Sequence, residues 1–281
     1  MRWQLENSIS RFWKGDGSTA ALVLVLLCIS LWFLTDIPHS LRRVVESRYE
    51  DAVYTFDPSA QQAFEYGEKH FNARDPAEYD INRAEYFFNQ AATKDPSIPY
   101  LYHELARIDF LRGNFTSALA KVNFQISMYG DEAPNSYYIR GLIEGYMGDY
   151  AASARDYEHF IALNPKRTWA STNDYAWVLL KAGRARNAAE ATAEGLQYFP
   201  DNPWLLNTSA TAFYEIGEYE LALSAVRRAS ITVAKISEAD WLNAYPGNDP
   251  KIAGEGIAAF KKAVENNMHT IGLAAASDTL Q

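Results

Sequence analysis

Four glycines, Gly113, Gly148, Gly183 and Gly217, recur along this 281-residue chain at separations of 35, 35 and 34 residues. A period in that range confines a chain to stacked supersecondary units. Two residues beyond the glycines stand Phe115, Tyr150, Ala185 and Tyr219, and three further on stand Ala118, Ser153, Ala188 and Ala222. Seven residues before them stand Ala106, Gly141, Ala176 and Ala210. The columns agree in residue type, not merely in polarity. Small side chains let two antiparallel helices cross closely. A glycine supplies the left-handed backbone that ends the first helix, and Pro165 and Pro200 stop the second helix in two of the units. Each unit therefore reads as helix, glycine turn, helix. A single hairpin of this kind cannot bury its own apolar face, whereas stacked hairpins share a continuous core.

A degenerate unit precedes these four. It begins at Tyr66 and Gly67, carries Ala84, Phe88 and Ala91 in its second helix, and has an insertion at about residues 75–79. A half-unit at Gly256, Phe260 and Ala263 reads as a C-terminal capping helix. The pattern resembles the tetratricopeptide repeat family over residues 99–234, with Tyr102, Tyr137, Thr172 and Leu206 in place of that family's early tryptophan. The resemblance implies an all-α, right-handed solenoid of helix hairpins. The expected solenoid spans 61–270, as about four full units with the degenerate first unit and the capping helix, and 271–281 is expected as a tail.

Ahead of the repeats, residues 19–35 read TAALVLVLLCISLWFLT and carry no charge. At helical rise this run covers ~26 Å, just enough to span a bilayer. No pair of small residues at a cleavage-like spacing follows it, so residues 19–36 are expected as a retained single transmembrane helix rather than a removed signal. Residues 1–18 then form an N-terminal tail and 37–60 a juxtamembrane helix and linker. Arg2, Arg11 and Lys14 before the span balance Arg42, Arg43 and Arg48 after it, and the positive-inside rule ties. The commoner arrangement, a short basic tail at the cytoplasmic surface, makes the repeat domain extracytoplasmic.

Catalytic chemistry finds no support. With a formal net charge of -9, the chain lacks the basic footprint of a nucleic-acid binder. One cysteine, Cys28, excludes a thiolate metal cluster, and the five histidines are scattered without metal-ligand spacing. Residues 254–259, GEGIAA, imitate a dinucleotide loop with no strand before it. No catalytic residue, metal or cofactor is expected.

The resemblance implies instead that the first helices line a concave groove. Carried across, it selects Arg107, Tyr138, Tyr146, Asn173, Trp177, Trp204, Asn207 and Tyr214 as a protein-binding face, aromatic with interspersed amides. Asn173 and Asn207 lie 34 residues apart, one repeat, and are expected as a row of carboxamides holding a ligand backbone. Two functions fit. One is a membrane-anchored adaptor or scaffold that binds a peptide segment or protein subunit near the bilayer, in assembly of an envelope or membrane complex. The alternative is a structural subunit of a self-associating membrane assembly.

Overall fold

The structure is a computed structural model, and it describes residues 58–164, 166 and 168–278. The expected N-terminal tail (1–18), membrane anchor (19–36) and nearly all of the juxtamembrane linker (37–60) lie outside the described residues. Among the described residues no helix is long and apolar enough to cross a membrane.

All described elements belong to one compact unit that begins at Ser59. They comprise twelve α-helices and two single turns of 3₁₀ helix, with no strand among the described residues. Ten helices pair as consecutive hairpins: α1 (Ala60–Phe71) with α2 (Ile81–Lys94), α3 (Leu101–Leu111) with α4 (Phe115–Tyr129), and α5 (Asn135–Met147) with α6 (Tyr150–Leu163). The last two pairs are α7 (Trp169–Lys181) with α8 (Ala185–Tyr198), and α9 (Pro203–Glu215) with α10 (Tyr219–Val233). A short α11 (Glu238–Ala244) and a long α12 (Ala253–Asp278) complete the chain. First helices of successive hairpins also touch, α3 on α5, α5 on α7 and α7 on α9, which stacks the units side by side.

Each periodic glycine closes its first helix. Gly113, Gly148, Gly183 and Gly217 have φ between 71° and 87°. The residue after each, Asn114, Asp149, Arg184 or Glu218, donates its backbone N–H to the carbonyl five residues back, at 2.8–2.9 Å. This is the six-to-one bond of a Schellman turn, which satisfies carbonyls that a helix end would otherwise leave unpaired. A Cβ at any of the four would meet nothing within 4 Å, so backbone conformation alone calls for glycine there.

The small-residue columns sit where hairpins cross. Ala106, Ala176 and Ala210 on first helices and Ala84, Ala118, Ala188 and Ala222 on second helices are wholly buried. At Gly141 a Cβ would come to 3.2 Å from the Ser153 carbonyl, and the Ser153 hydroxyl in turn donates to the Gly141 carbonyl across the crossing. At Gly67 in the first unit the same added atom would lie 2.6 Å from the Phe88 ring, so the degenerate hairpin packs by the same rule.

The C-terminal end differs from expectation in two ways. The capping helix α12 continues to Asp278, through most of the expected 271–281 tail, because Ile257, Val264 and Ile271 continue one buried stripe with Ala275 beyond them. Against that stripe pack Leu206, Val226 and Val233 of the last hairpin. Between α10 and α12 the chain also forms α11, started by a capping box in which Ser237 and Asp240 bond reciprocally.

Replacing Gly148 or Gly183 by alanine forces a left-handed conformation on a residue with a Cβ, and each change is expected to cost ~1 kcal/mol. Urea unfolding of the two variants measures this, and midpoints equal to the parent's would mean that the turns do not require that geometry.

Candidate functional site

The first helices converge on a cavity of about 900 Å³. His103, Arg107 and Phe110 of α3 line it, as do Tyr138, Leu142 and Tyr146 of α5, Asn173, Asp174 and Trp177 of α7, and Trp204 of α9. Trp169, from the start of α7, adds a third indole. Every one of these side chains projects from a first helix. Aromatic contacts link successive repeats along the wall. Phe110 meets Tyr146 edge-on at 5.0 Å, and Tyr146 meets Trp177 at 6.0 Å. Tyr146 is 58% exposed and forms the rim.

The opposite wall was not legible as part of the groove. After the last hairpin the chain crosses the concave face, and Trp241, Ala244, Tyr245, Pro246 and Asn248 line the same cavity. Three hydrogen bonds hold this strap. The Tyr79 hydroxyl donates to the Gly247 carbonyl at 2.8 Å, Arg107 Nη2 donates to the Pro246 carbonyl at 2.7 Å, and Trp204 Nε1 donates to the Tyr245 hydroxyl at 2.9 Å. Tyr79 belongs to the insertion between α1 and α2, so that insertion is what lets the first hairpin reach the strap. Gly247, at φ 85°, lies so close to Arg107 that a Cβ would fall 2.7 Å from Nη2. The groove is thus a bridged cavity, not an open channel. Trp241 also fills a notch on α12, where a Cβ at Gly256 would come within 2.1 Å of its ring. Gly254 and Gly256 are accordingly residues of a packed helix.

The structure disperses the eight residues selected from sequence. Arg107, Tyr138, Tyr146, Asn173, Trp177 and Trp204 line the cavity, whereas Asn207 and Tyr214 do not. The α12 helix covers that part of the fourth unit: the Asn207 carboxamide oxygen accepts from Asn267 Nδ2 at 2.9 Å, and Tyr214 packs on the cluster containing Val264 and Ile271. The expected row of two carboxamides is therefore broken. Asn173 is itself engaged, accepting from the Thr208 hydroxyl at 2.8 Å and donating to Asp174 at 3.2 Å. Trp204, expected as a ligand anchor, is only 8% exposed. Its ring stacks nearly parallel on Trp169 at 4.8 Å and on Phe260 of α12 at 5.2 Å. Arg107 is likewise committed, to Glu104 at 2.7 Å, to the strap, and to the Phe71 ring at 4.7 Å.

The charged groups of the cavity follow from burial. His103, 6% exposed, contacts the Ser136 hydroxyl at 3.3 Å. Burial first, then the Arg107 charge, pushes its pKa down to about 3, so the ring is neutral near pH 7. Burial raises the Glu104 carboxyl while Arg107 pulls it back. Asp174 stands apart. It accepts hydrogen bonds from the Tyr138 hydroxyl and from Asn173, and no basic side chain pairs with it among the described residues. Burial raises its pKa, with those two hydrogen bonds opposing the rise. Sequence reading passed over Asp174 although it adjoins Asn173, since a single acid on a helix face signals nothing until a wall of aromatics is seen around it.

No family model and no curated protein matches the sequence. Solved structures of MamA match the fold. One crystal structure of MamA protein, at 16% identity and a TM-score of 0.53, covers 63% of this chain and 92% of its own. The MamA MSR-1 structure, at 15% identity and a TM-score of 0.51, covers 62% of this chain and 98% of its own. Another crystal structure of MamA, at 17% identity and a TM-score of 0.50, covers 56% and 90%. At these identities the likeness shows the fold alone: an all-helical stack of hairpins.

Two outcomes test this geometry. Trp204→Ala removes the central ring of a three-ring stack and is expected to cost ~3–5 kcal/mol of unfolding free energy, against little change for the rim variant Tyr146→Ala. Chemical denaturation of both variants decides whether Trp204 is a packing residue. The His103 ring is neutral in the folded state and protonates below pH 6.5 once unfolded. A depressed basic pKa means that the unfolded chain binds more protons, so stability falls as pH falls from about 6.5 towards 3. Between pH 7 and pH 5 the parent should lose on the order of 1–2 kcal/mol more than His103→Gln, measured by denaturant unfolding at both pH values.

Proposed function

We propose that the protein is a tetratricopeptide-type scaffold that holds a segment of a protein partner at the concave cavity, close to a membrane. The observation that carries this reading is the bridged cavity itself. Aromatic side chains from three successive hairpins wall it, its volume lies in the range of binding pockets, and Tyr146 opens it to solvent. Aromatic anchors beside a few fixed polar groups are the composition of protein-binding hot spots. In this reading residues 19–36 anchor the chain in the bilayer and raise the local concentration of partners confined to the same membrane, with the repeats on the extracytoplasmic side in envelope or membrane-complex assembly.

The test is affinity capture from native membranes with the parent and with the double variant Tyr146→Ala, Trp177→Ala. These two wall residues take the place of Asn173 and Asn207, whose carboxamides are bonded within the protein. A partner held by the parent should bind the double variant at least tenfold more weakly, ~1.4 kcal/mol, while the variant melts within a few degrees of the parent. Undiminished binding moves the contact off the cavity. If the detergent-solubilised protein is in addition a defined oligomer with no partner, the self-associating assembly becomes the better reading.

A further inference from the structure

The cavity contains one acid with no basic partner among the described residues; burial raises its pKa, and an entering cation would favour its ionised form. Of its basic groups, Arg107 is paired to Glu104 at 2.7 Å and to the Pro246 carbonyl at 2.7 Å, and His103 is buried and neutral. Lys181 is exposed and lies over the Trp177 ring at 5.7 Å, without an ion pair to Asp174. That leaves the Asp174 carboxylate, oriented by the Tyr138 hydroxyl and the Asn173 amide and sharing the cavity with the Trp169 and Trp177 indoles. A carboxylate among aromatic rings is complementary to an aliphatic ammonium, since the rings attract the cation and accept the methylene stem. An anionic group would be repelled there, and a neutral group would gain no charge pair with the acid. The strap narrows the choice further. By bridging the concave face from Tyr79 to Trp204 it crosses the path of an extended chain along the groove, while Tyr146 on the rim is 58% exposed. The net charge of -9 adds long-range attraction for a basic partner.

We infer that the cavity receives a lysine side chain presented by the partner segment, its ammonium on Asp174 and its stem against the indoles. This deepens the scaffold reading and rests on it for the source of the lysine. The test titrates the full chain in non-ionic detergent with the pentapeptide acetyl-Gly-Gly-Lys-Gly-Gly-amide, following heat and tryptophan fluorescence. Its counterparts carry norleucine or acetyl-lysine in place of lysine. The lysine peptide is expected to saturate, with the two neutral peptides at least tenfold weaker. In Asp174→Asn, which keeps an acceptor for Tyr138, the lysine peptide should fall to the norleucine level. Trp177→Leu keeps the carboxylate and should lower the preference for lysine severalfold, so the site is still tested should Asp174→Asn fail to fold.

Equal binding of lysine and norleucine peptides, no saturation by any peptide, or unchanged lysine binding in a folded Asp174→Asn would each overturn the inference. Saturation by n-butylammonium without binding of the lysine peptide would assign the cavity to free amines and overturn the protein source. Failure of this site and failure of the scaffold reading are separable. A partner captured equally by parent and Asp174→Asn keeps the scaffold and discards the lysine site. Lysine-peptide binding with no captured partner does the reverse.

Discussion

Close approach of antiparallel helices at a small-residue contact is the constraint on which the rest of this structure depends. Ala106, Gly141, Ala176 and Ala210 allow each first helix to lie against its second helix with nothing larger than a methyl group between the backbones. That contact fixes the rotation of the first helix about its axis. Once the rotation is set, the direction of every other side chain on that helix follows, and α3, α5 and α7 bring Phe110, Tyr146 and Trp177 into contact along the cavity wall. The left-handed glycines fix where the hairpin turns, so the same rotation recurs in each unit and the aromatics fall into line.

Aromatic stacking serves two separate ends. In one line, Phe110, Tyr146 and Trp177 connect three hairpins and line the cavity. In the other, Trp169, Trp204 and Phe260 form a stack that ties the last two hairpins to the terminal helix and leaves the central indole buried. Tryptophans 27 residues apart on adjacent first helices, Trp177 and Trp204, thus belong to different structures. Residue type alone did not separate them, because the property that makes an indole a good ligand anchor also makes it a good core element.

The strap changes the character of the groove. A stack of hairpins leaves its concave face open along its length, and the resemblance on which the groove residues were chosen assumes that openness. Here hydrogen bonds from Tyr79, Arg107 and Trp204 fasten residues 245–247 across it, and the Arg107 guanidinium lies sandwiched between the strap and the Phe71 ring. Arg107 is thus held by the strap and paired with Glu104 inside the protein, while Asp174, whose pKa burial raises, has no basic partner among the described residues. The bridging segment therefore sets the shape of the cavity and holds one of its two basic side chains.

The hairpin architecture was legible from local pattern because it rests on local requirements. A glycine needed for a positive φ, an alanine needed at a crossing and a cap needed at a helix start each leave their mark at a fixed offset in the chain. Repetition at a spacing near 34 residues then multiplied a weak signal into a strong one, even in the first unit, where Gly67 and Phe88 pack as the later columns do. The candidate site was legible only in part. Six of the eight selected residues reach the cavity since helical periodicity decides which face a residue occupies. What covers that face is a different matter. Asn207 and Tyr214 are closed over by α12, and Trp241, Tyr245 and Tyr79 enter the site from segments that obey no repeat, through contacts between residues up to 168 positions apart. Such contacts depend on the summed geometry of five hairpins and carry no periodic trace. The sequence by itself determined the hairpins, their turns and the aromatic character of the inner face, whereas only the tertiary structure decided that the face is bridged and that Asp174 is its acid without a basic partner among the described residues.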